Sequence, residues 1–156
     1  MNRVKQVEEL SNNPQLFDAK FKELYENYTF ESEKESYDFI KEHPGLLLIL
    51  DEYTPCLKKY FPKGIFELMV DIDPEIITWK TLILMVKVDE ETFDNGCYEH
   101  LTYMRRHFRP LRRELNLMGE IMLMSMVDRW VRITLTYLKM NTGFFSWLKT
   151  SACWSL

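Results

Sequence analysis

The sequence contains 156 residues, of which 46% are apolar and 28% charged, the balance of a globular domain rather than of a disordered chain. No apolar run approaches the roughly 18 residues of a membrane-spanning helix, and no membrane association is predicted. The first residues, MNRVKQVEEL, lack the apolar stretch of a secretory signal. Three scattered cysteines match no zinc-ligand spacing. We therefore expect a single cytoplasmic domain over residues 1–156 with no cofactor.

The formal net charge of −4 hides a strong asymmetry along the chain. Residues 1–100 hold 11 Lys and Arg against 21 Asp and Glu, a net charge of −10. Residues 101–156 hold 9 basic residues against 3 acidic ones, a net charge of +6. Such a separation indicates either ion pairing within the fold or an acidic partner for the basic end.

Capping signals and helical spacing of apolar residues predict helices in the amino-terminal third. Asn13 is a favourable N-cap, and Pro14 suits the first helical position because its missing N–H would have no partner there. Ser32 and Glu35 have the spacing of a capping box, which predicts a second helix. This helix should end or bend at residues 43–44, where a proline follows.

Two more helical segments are predicted before the pattern changes. The apolar run at Gly45–Tyr53 indicates a short helix, and Pro55–Phe61 indicates one further helical turn. The second segment starts at Pro55 and is closed by Pro62, Lys63 and Gly64.

Alternation of apolar and polar residues then predicts strands. Ile65–Ile72 and Leu82–Val88 both have this period-two pattern and are rich in strand formers. The Asp-Pro-Glu sequence at residues 73–75 is typical of a turn, so the two strands are expected to be antiparallel neighbours.

A helix and two strands are predicted in the carboxyl-terminal part. The helix begins near Asp94 and is ended or kinked by Pro110. Its expected apolar stripe contains Cys97, Tyr98, Leu101, Met104 and Phe108. Glu120–Val127 is predicted to be a strand buried on both faces, and Val131–Tyr137 a further strand. Residues 141–156 form an aromatic, weakly charged tail.

The order of these elements predicts the fold class. It is α+β, with N-terminal helices followed by a small, mostly antiparallel sheet (β-β-α-β-β) on which one helix packs.

The stretch from Tyr37 to about Val88 contains FIKEHP, then KKYFP, then a strand leading into the Asp-Pro-Glu turn and a second strand. In these features it resembles small uncharacterised prokaryotic α+β proteins. The resemblance covers a third to a half of the chain, and it implies a compact intracellular domain without assigning a catalytic activity.

Carboxylates near the predicted hairpin are the candidate metal ligands. Asp71 and Asp73 are two residues apart on a strand, so their side chains could hold one Mg²⁺. Asp89, after the next strand, is a candidate third ligand for phosphoryl or nucleotidyl transfer, with Lys63 to neutralise a phosphate. The Gly-Ser turn that grips phosphate in such enzymes is missing. The alternative interpretation is that these aspartates end strands and form turns.

The sequence RRHFRPLRR is the strongest candidate binding motif. It contributes five arginines in nine residues: Arg105, Arg106, Arg109, Arg112 and Arg113. The first three are expected to share a helix flank that faces away from the core. Their planar guanidinium groups suit phosphate and carboxylate recognition. The alternative is that they stabilise the end of a helix and pair with surface acids.

The absence of a recognisable catalytic constellation makes a non-enzymatic protein-interaction or regulatory module the first hypothesis. Its partner would be another protein or a second copy of the chain, as in a homodimer. The methionines at 118, 122, 124 and 126 fit a core or a flexible interface. Nucleic-acid binding through the arginine motif is an alternative that the overall acidity disfavours. Mg²⁺-dependent transfer at Asp71 and Asp73 is the enzymatic alternative.

Overall fold

The computed structural model describes residues 2–128, so the predicted strand at residues 131–137 and the tail at residues 141–156 lie outside the described residues. The described helices are α1 (Arg3–Asn12), α2 (Pro14–Glu23), α3 (Glu33–Glu42), α4 (Gly45–Tyr60), α5 (Glu90–Thr92), α6 (Tyr98–His107) and α7 (Arg109–Glu114). The described strands are β1 (Thr29–Phe30), β2 (Ile65–Ile72), β3 (Lys80–Val88) and β4 (Ile121–Val127). Helices followed by a sheet confirm the α+β class.

The helix starts follow the predicted caps. The side chain of Asn13 accepts a hydrogen bond from the Leu16 amide at 3.1 Å, and Pro14 occupies the first position of α2. The Ser32 hydroxyl accepts from the Glu35 amide at 3.4 Å at the start of α3. Helix α1, which precedes Asn13, was not predicted from the sequence.

Helix α4 corrects one prediction, because its 16 residues are continuous through Pro55. Pro55 is exposed, whereas Tyr53 and Leu57 on the inner side of the helix are fully buried. Packing of these side chains offsets the hydrogen bond that proline removes, since tertiary burial routinely outweighs local propensity.

Helix α6 buries most of its predicted apolar stripe. Cys97, Leu101, Met104 and Phe108 are buried, but Tyr98 is exposed and does not belong to the stripe. The preceding turn contains Gly96 at φ 92°, a left-handed conformation that glycine adopts without steric cost. Helix α6 ends at His107, and α7 begins with Pro110 in its first turn, as proline chemistry predicts.

The sheet is mixed rather than mostly antiparallel, with strand order β1-β2-β3-β4. Strands β2 and β3 form the predicted antiparallel hairpin, with Ile65 opposite Lys87 and Ile72 opposite Lys80. Strand β4 runs parallel to β3 because α6 and α7 carry the chain back across the sheet. The two-residue strand β1 adds a second parallel pairing to β2.

One face of the sheet holds the main core. Its buried strand residues pack with side chains of the helices and are Phe66, Leu68, Leu82, Leu84, Val86, Val88, Ile121 and Leu123. The opposite face, called the methionine face below, holds Met69, Ile83, Met85, Met122, Met124 and Met126. Leu123 and Met124 are buried on opposite faces of β4, in agreement with the predicted two-sided burial.

Candidate functional site

The loop that joins β2 to β3, residues 73–79, is held in one conformation by its own hydrogen bonds. The Asp73 carboxylate accepts from the Glu75 amide at 2.8 Å and from the Ile76 amide at 3.1 Å. The Asp73 amide donates to the Trp79 carbonyl oxygen at 3.0 Å, and the Trp79 amide donates to the Ile76 carbonyl oxygen at 2.7 Å. These bonds close the turn that the Asp-Pro-Glu sequence predicts.

The ordered loop presents large apolar side chains to solvent. Ile76 is 50% exposed, Ile77 75% and Trp79 58%, and Ile72 at the adjoining end of β2 is 44% exposed. We call these four residues the hairpin patch. The sequence analysis missed it, although two isoleucines and a tryptophan inside a turn depart from the polar composition that turns usually have.

An open groove of about 560 Å³ lies beside the patch. It is lined by Trp79 and Lys80 and by Phe39, Glu42 and His43 at the carboxyl end of α3. Gly119 and Glu120, just before β4, also line it. An aromatic ring beside a groove that contains carboxylates can receive an apolar side chain together with a neighbouring cation.

The arginine motif divides into two groups, and the first group is structural. Arg105 is half-buried, and its Nη2 donates to the Leu123 carbonyl oxygen at 2.8 Å. Because the Glu120 carbonyl accepts from Leu82 in β3, the alternating backbone places the Leu123 carbonyl on the other side of β4. The Arg105 guanidinium therefore caps the edge of the described sheet.

Arg112 supports Arg105 from α7. Its Nη2 donates to the Arg105 carbonyl oxygen at 3.3 Å. Burial raises the pKa of Tyr53 to about 12, and the nearby positive charges of Arg112 and Arg105 oppose that rise. Arg105 and Arg112 therefore have structural roles within the fold.

The second group comprises Arg106, Arg109 and Arg113, which are exposed. The prediction that Arg105 shares a flank with Arg106 and Arg109 is wrong, because Arg105 lies at the boundary between α6 and β4. Tyr103 and His107 lie on α6 with Arg106, and their rings are stacked at a centroid distance of 5.3 Å.

The predicted metal ligands do not meet as a set. Asp71 pairs with Thr81 at the start of β3, whereas Asp89 follows the last residue of that strand. At about 3.3 Å per residue the two ends are about 25 Å apart, so Asp71 and Asp89 cannot share one ion. The carboxyl ends of the two strands of an antiparallel hairpin lie at opposite ends of the hairpin. The prediction of a three-aspartate site is therefore wrong.

The aspartates instead have local roles. Asp73 closes the hairpin loop, and Asp89 caps α5 by accepting from the Thr92 amide at 2.7 Å. Hydrogen bonding to Thr92 lowers the pKa of Asp89 below its usual value. Residues 2–128 contain no cluster of three or more His, Cys, Asp or Glu side chains arranged to hold a metal ion.

Comparison of the chain with protein-family models, with curated proteins and with solved structures gave no match. Over residues 2–128, none of the helices has the length and apolarity needed to cross a bilayer.

Proposed function

We propose that this protein is a protein-interaction module that binds an apolar, Lys- or Arg-flanked segment of a partner protein through the hairpin patch. The observation that carries the proposal is the exposure of Ile76, Ile77 and Trp79 on a loop fixed by backbone hydrogen bonds. Large apolar side chains on an ordered loop lose little conformational freedom on binding, and tryptophan is enriched among the residues that dominate binding energies.

The charges around the patch favour a basic partner. Five acidic residues lie in the loop, at its base or in the groove, namely Glu42, Asp71, Asp73, Glu75 and Glu120. Among the described residues that line the groove, Lys80 is basic and His43 is a further titratable group. Complementary charges around an apolar centre speed association and exclude acidic competitors.

Selection from a phage-displayed library of random peptides tests this proposal without a known partner. The full chain is immobilised, and we expect enriched peptides to combine aromatic or aliphatic residues with Lys or Arg. Binding should be lost in Ile77→Ser and Trp79→Ser. Ile65→Ser is the matched control, because Ile65 is 48% exposed at the opposite end of β2 and should leave binding unchanged.

Three outcomes would contradict the proposal. These are no enrichment, equal binding of the peptides to Trp79→Ser, and enrichment of acidic peptides that depend on Arg106 or Arg109. Light scattering of the full chain, run in parallel, detects self-association, and a dimer broken by Ile77→Ser would mean that a second copy occupies the patch.

A second candidate function, nucleic-acid binding, is favoured by the exposed group Arg106, Arg109 and Arg113, and by the stacked rings of Tyr103 and His107 on the same helix as Arg106. Arginines bind phosphates, and exposed rings offer surfaces on which bases stack. Random single-stranded RNA should then bind at low salt, with an affinity that falls as salt rises. Replacing the three arginines by Ala should reduce the slope of log affinity against log salt by about 2, at about 0.7 per phosphate contact. No binding at low salt would exclude this function.

A further inference from the structure

The methionine face is buried although, among residues 2–128, its apolar cluster consists of strand residues. Met69, Ile83, Met85 and Met124 are 3–8% exposed. The partly buried apolar residues packed against them are Met122 and Met126, which also belong to the sheet. Helix residues belong to the other cluster, on the opposite face. Side chains of a bare sheet face stand upright in solvent, so this degree of burial requires a covering layer.

The low exposure of an ion pair on the methionine face also indicates that this face is covered. Lys87 Nζ lies 2.6 Å from Glu67 Oε2, and the two side chains are 12% and 15% exposed. Residue 67 is opposite Met85, so the pair is diagonal and lies next to the methionines. The surface ion pair Lys20–Glu23 has side chains that are 38% and 52% exposed. The charges of Glu67 and Lys87 are thus withdrawn from solvent together with their apolar neighbours.

We propose that residues 129–156 of the same chain cover the methionine face. The segment follows directly on β4, where Met126 already belongs to this face. Its composition suits an apolar surface, with Trp130, Val131, Ile133, Leu135, Tyr137, Phe144, Phe145, Trp147 and Trp154 among its 28 residues. Transfer of such side chains onto a methionine-rich surface is favoured because thioethers adapt to irregular apolar shapes.

Charge complementarity also favours residues 129–156 as the segment that covers the methionine face. Residues 1–128 hold all 24 acidic residues and 16 of the 20 basic ones, a net charge of −8. Residues 129–156 hold the other four basic residues, Arg129, Arg132, Lys139 and Lys149, and no acidic residue. The segment is therefore attracted to the domain that precedes it.

Connectivity favours this segment over a second copy. Three strands are about 10 Å across from first to last, and a few extended residues span that distance at about 3.3 Å each. A segment tethered at the edge of the face has an effective concentration in the millimolar range, far above that of a second molecule in dilute solution. This inference is independent of the hairpin patch, which lies in the loop between β2 and β3.

Photo-cross-linking of the full chain tests the proposal. The chain is produced with photo-methionine, once in ordinary and once in ¹⁵N medium, and the two preparations are mixed before irradiation. We expect peptides that contain Met69, Met85 or Met124 to be joined to peptides of residues 129–156 with the same isotope label. Cross-links between peptides with different labels would show that a second copy covers the face. Cross-links neither to residues 129–156 nor to a second copy would show that the face is open. Either result would overturn the proposal.

Oxidation of the natural protein by dilute peroxide is a second measurement that does not depend on the modified residue. Met69, Met85 and Met124 should form sulfoxide more slowly than Met118, which is 45% exposed. Leu135→Asp should accelerate oxidation of all three severalfold, because it places a charge on the apolar side of the predicted strand. Thr134→Asp, on its polar side, is the matched control and should leave the rates unchanged. Equal acceleration by both variants, or by neither, would overturn the proposal.

Discussion

The methionine face and the hairpin patch are both apolar and both lie outside the helix-covered core, yet their exposure differs sharply. The buried members of the face are 3–8% exposed, whereas the four patch residues are 44–75% exposed. Apolar side chains are therefore covered in one region and open to solvent in the other. The face has already gained the free energy of burial, while the patch can still gain it from a partner.

The side-chain types found in the two regions fit this difference in exposure. Methionine is unbranched and flexible, so it fills irregular space in an intramolecular interface. Isoleucine and tryptophan have few rotatable bonds, and on a loop fixed by Asp73 they are suited to recognition of another molecule. Mutations should consequently affect stability at the face and binding at the patch.

The largest expected effect is at the face. Met85→Ala should lower the free energy of unfolding by about 2–5 kcal/mol, because it removes a buried side chain and leaves a cavity. Met118→Ala is the matched control and should change it by about 0.5 kcal/mol at most, since Met118 is exposed. Urea unfolding followed by circular dichroism measures both. Equal small effects would mean that the face is not a packed interior.

A buried tyrosine in the helix-covered core predicts how the free energy of unfolding depends on pH. Burial raises the pKa of Tyr53 to about 12, against about 10 for a solvated tyrosine. Between these values the unfolded chain loses the Tyr53 proton and the folded chain keeps it, so unfolding becomes easier as pH rises. The free energy of unfolding should fall by up to about 1.4 kcal/mol per pH unit from this residue.

Tyr53→Phe isolates that contribution. The Tyr53 hydroxyl has no hydrogen-bond partner among residues 2–128, so the substitution should change stability little at pH 7. The loss between pH 10 and 12 should be shallower in Tyr53→Phe than in the natural protein. Parallel curves would contradict the assignment. Tyr28, whose pKa burial also raises, leaves a residual slope in both proteins.

Breaking the ion pair on the face should have an intermediate effect. Lys87→Met leaves the Glu67 carboxylate withdrawn from solvent without its cation, at a cost of about 1–3 kcal/mol. Adding Glu67→Leu should recover most of this loss, because an apolar pair of similar size suits a covered face. A double variant as unstable as Lys87→Met alone would argue that the face is open to water.

A smaller effect on stability is expected at the base of the patch. Asp73→Ala removes two hydrogen bonds that hold the loop and should cost about 1 kcal/mol. Asp73→Asn keeps an oxygen acceptor and should cost less. Both stability, from urea unfolding, and affinity for the selected peptides should fall in Asp73→Ala more than in Asp73→Asn.

The smallest effect on stability is expected within the patch itself. Ile77→Ser and Trp79→Ser should change the free energy of unfolding by about 0.5 kcal/mol at most, since both side chains are exposed. Thermal unfolding of the full chain checks this. A loss comparable with that of Met85→Ala would show that the patch is part of the core rather than a binding surface.

Local signals in the sequence predicted the parts of the fold that short-range chemistry determines. Asn13 and Ser32 each accept a hydrogen bond from an amide three residues away, and the turn that Asp73 closes joins neighbouring strands. Strand β1 could not be predicted, because Thr29 and Phe30 are too few to show a period and pair with β2 through contacts distant in sequence. Helix α4 continues through Pro55 for a similarly non-local reason, the burial of Tyr53 and Leu57.

The candidate site was less predictable for the same reason. The composition of the arginine motif is visible in the sequence, but the inward direction of Arg105 depends on where β4 lies. The separation of Asp71 from Asp89 follows from strand direction, which the sequence analysis had itself predicted as antiparallel without applying it to these residues. Trp79 and Ile77 were visible as apolar residues in a turn, and only their exposure in the structure distinguishes them from core residues.

Calorimetric titration of a selected peptide into the full chain tests the central claim, that the hairpin patch is a docking surface, most directly. We expect a negative heat-capacity change on binding, because apolar area is buried. Trp79→Ser should weaken the affinity by about 30-fold, equivalent to about 2 kcal/mol for a dominant interface residue, while Ile65→Ser should leave it unchanged. An affinity that is the same in Trp79→Ser, or reduced equally by both variants, would contradict the claim.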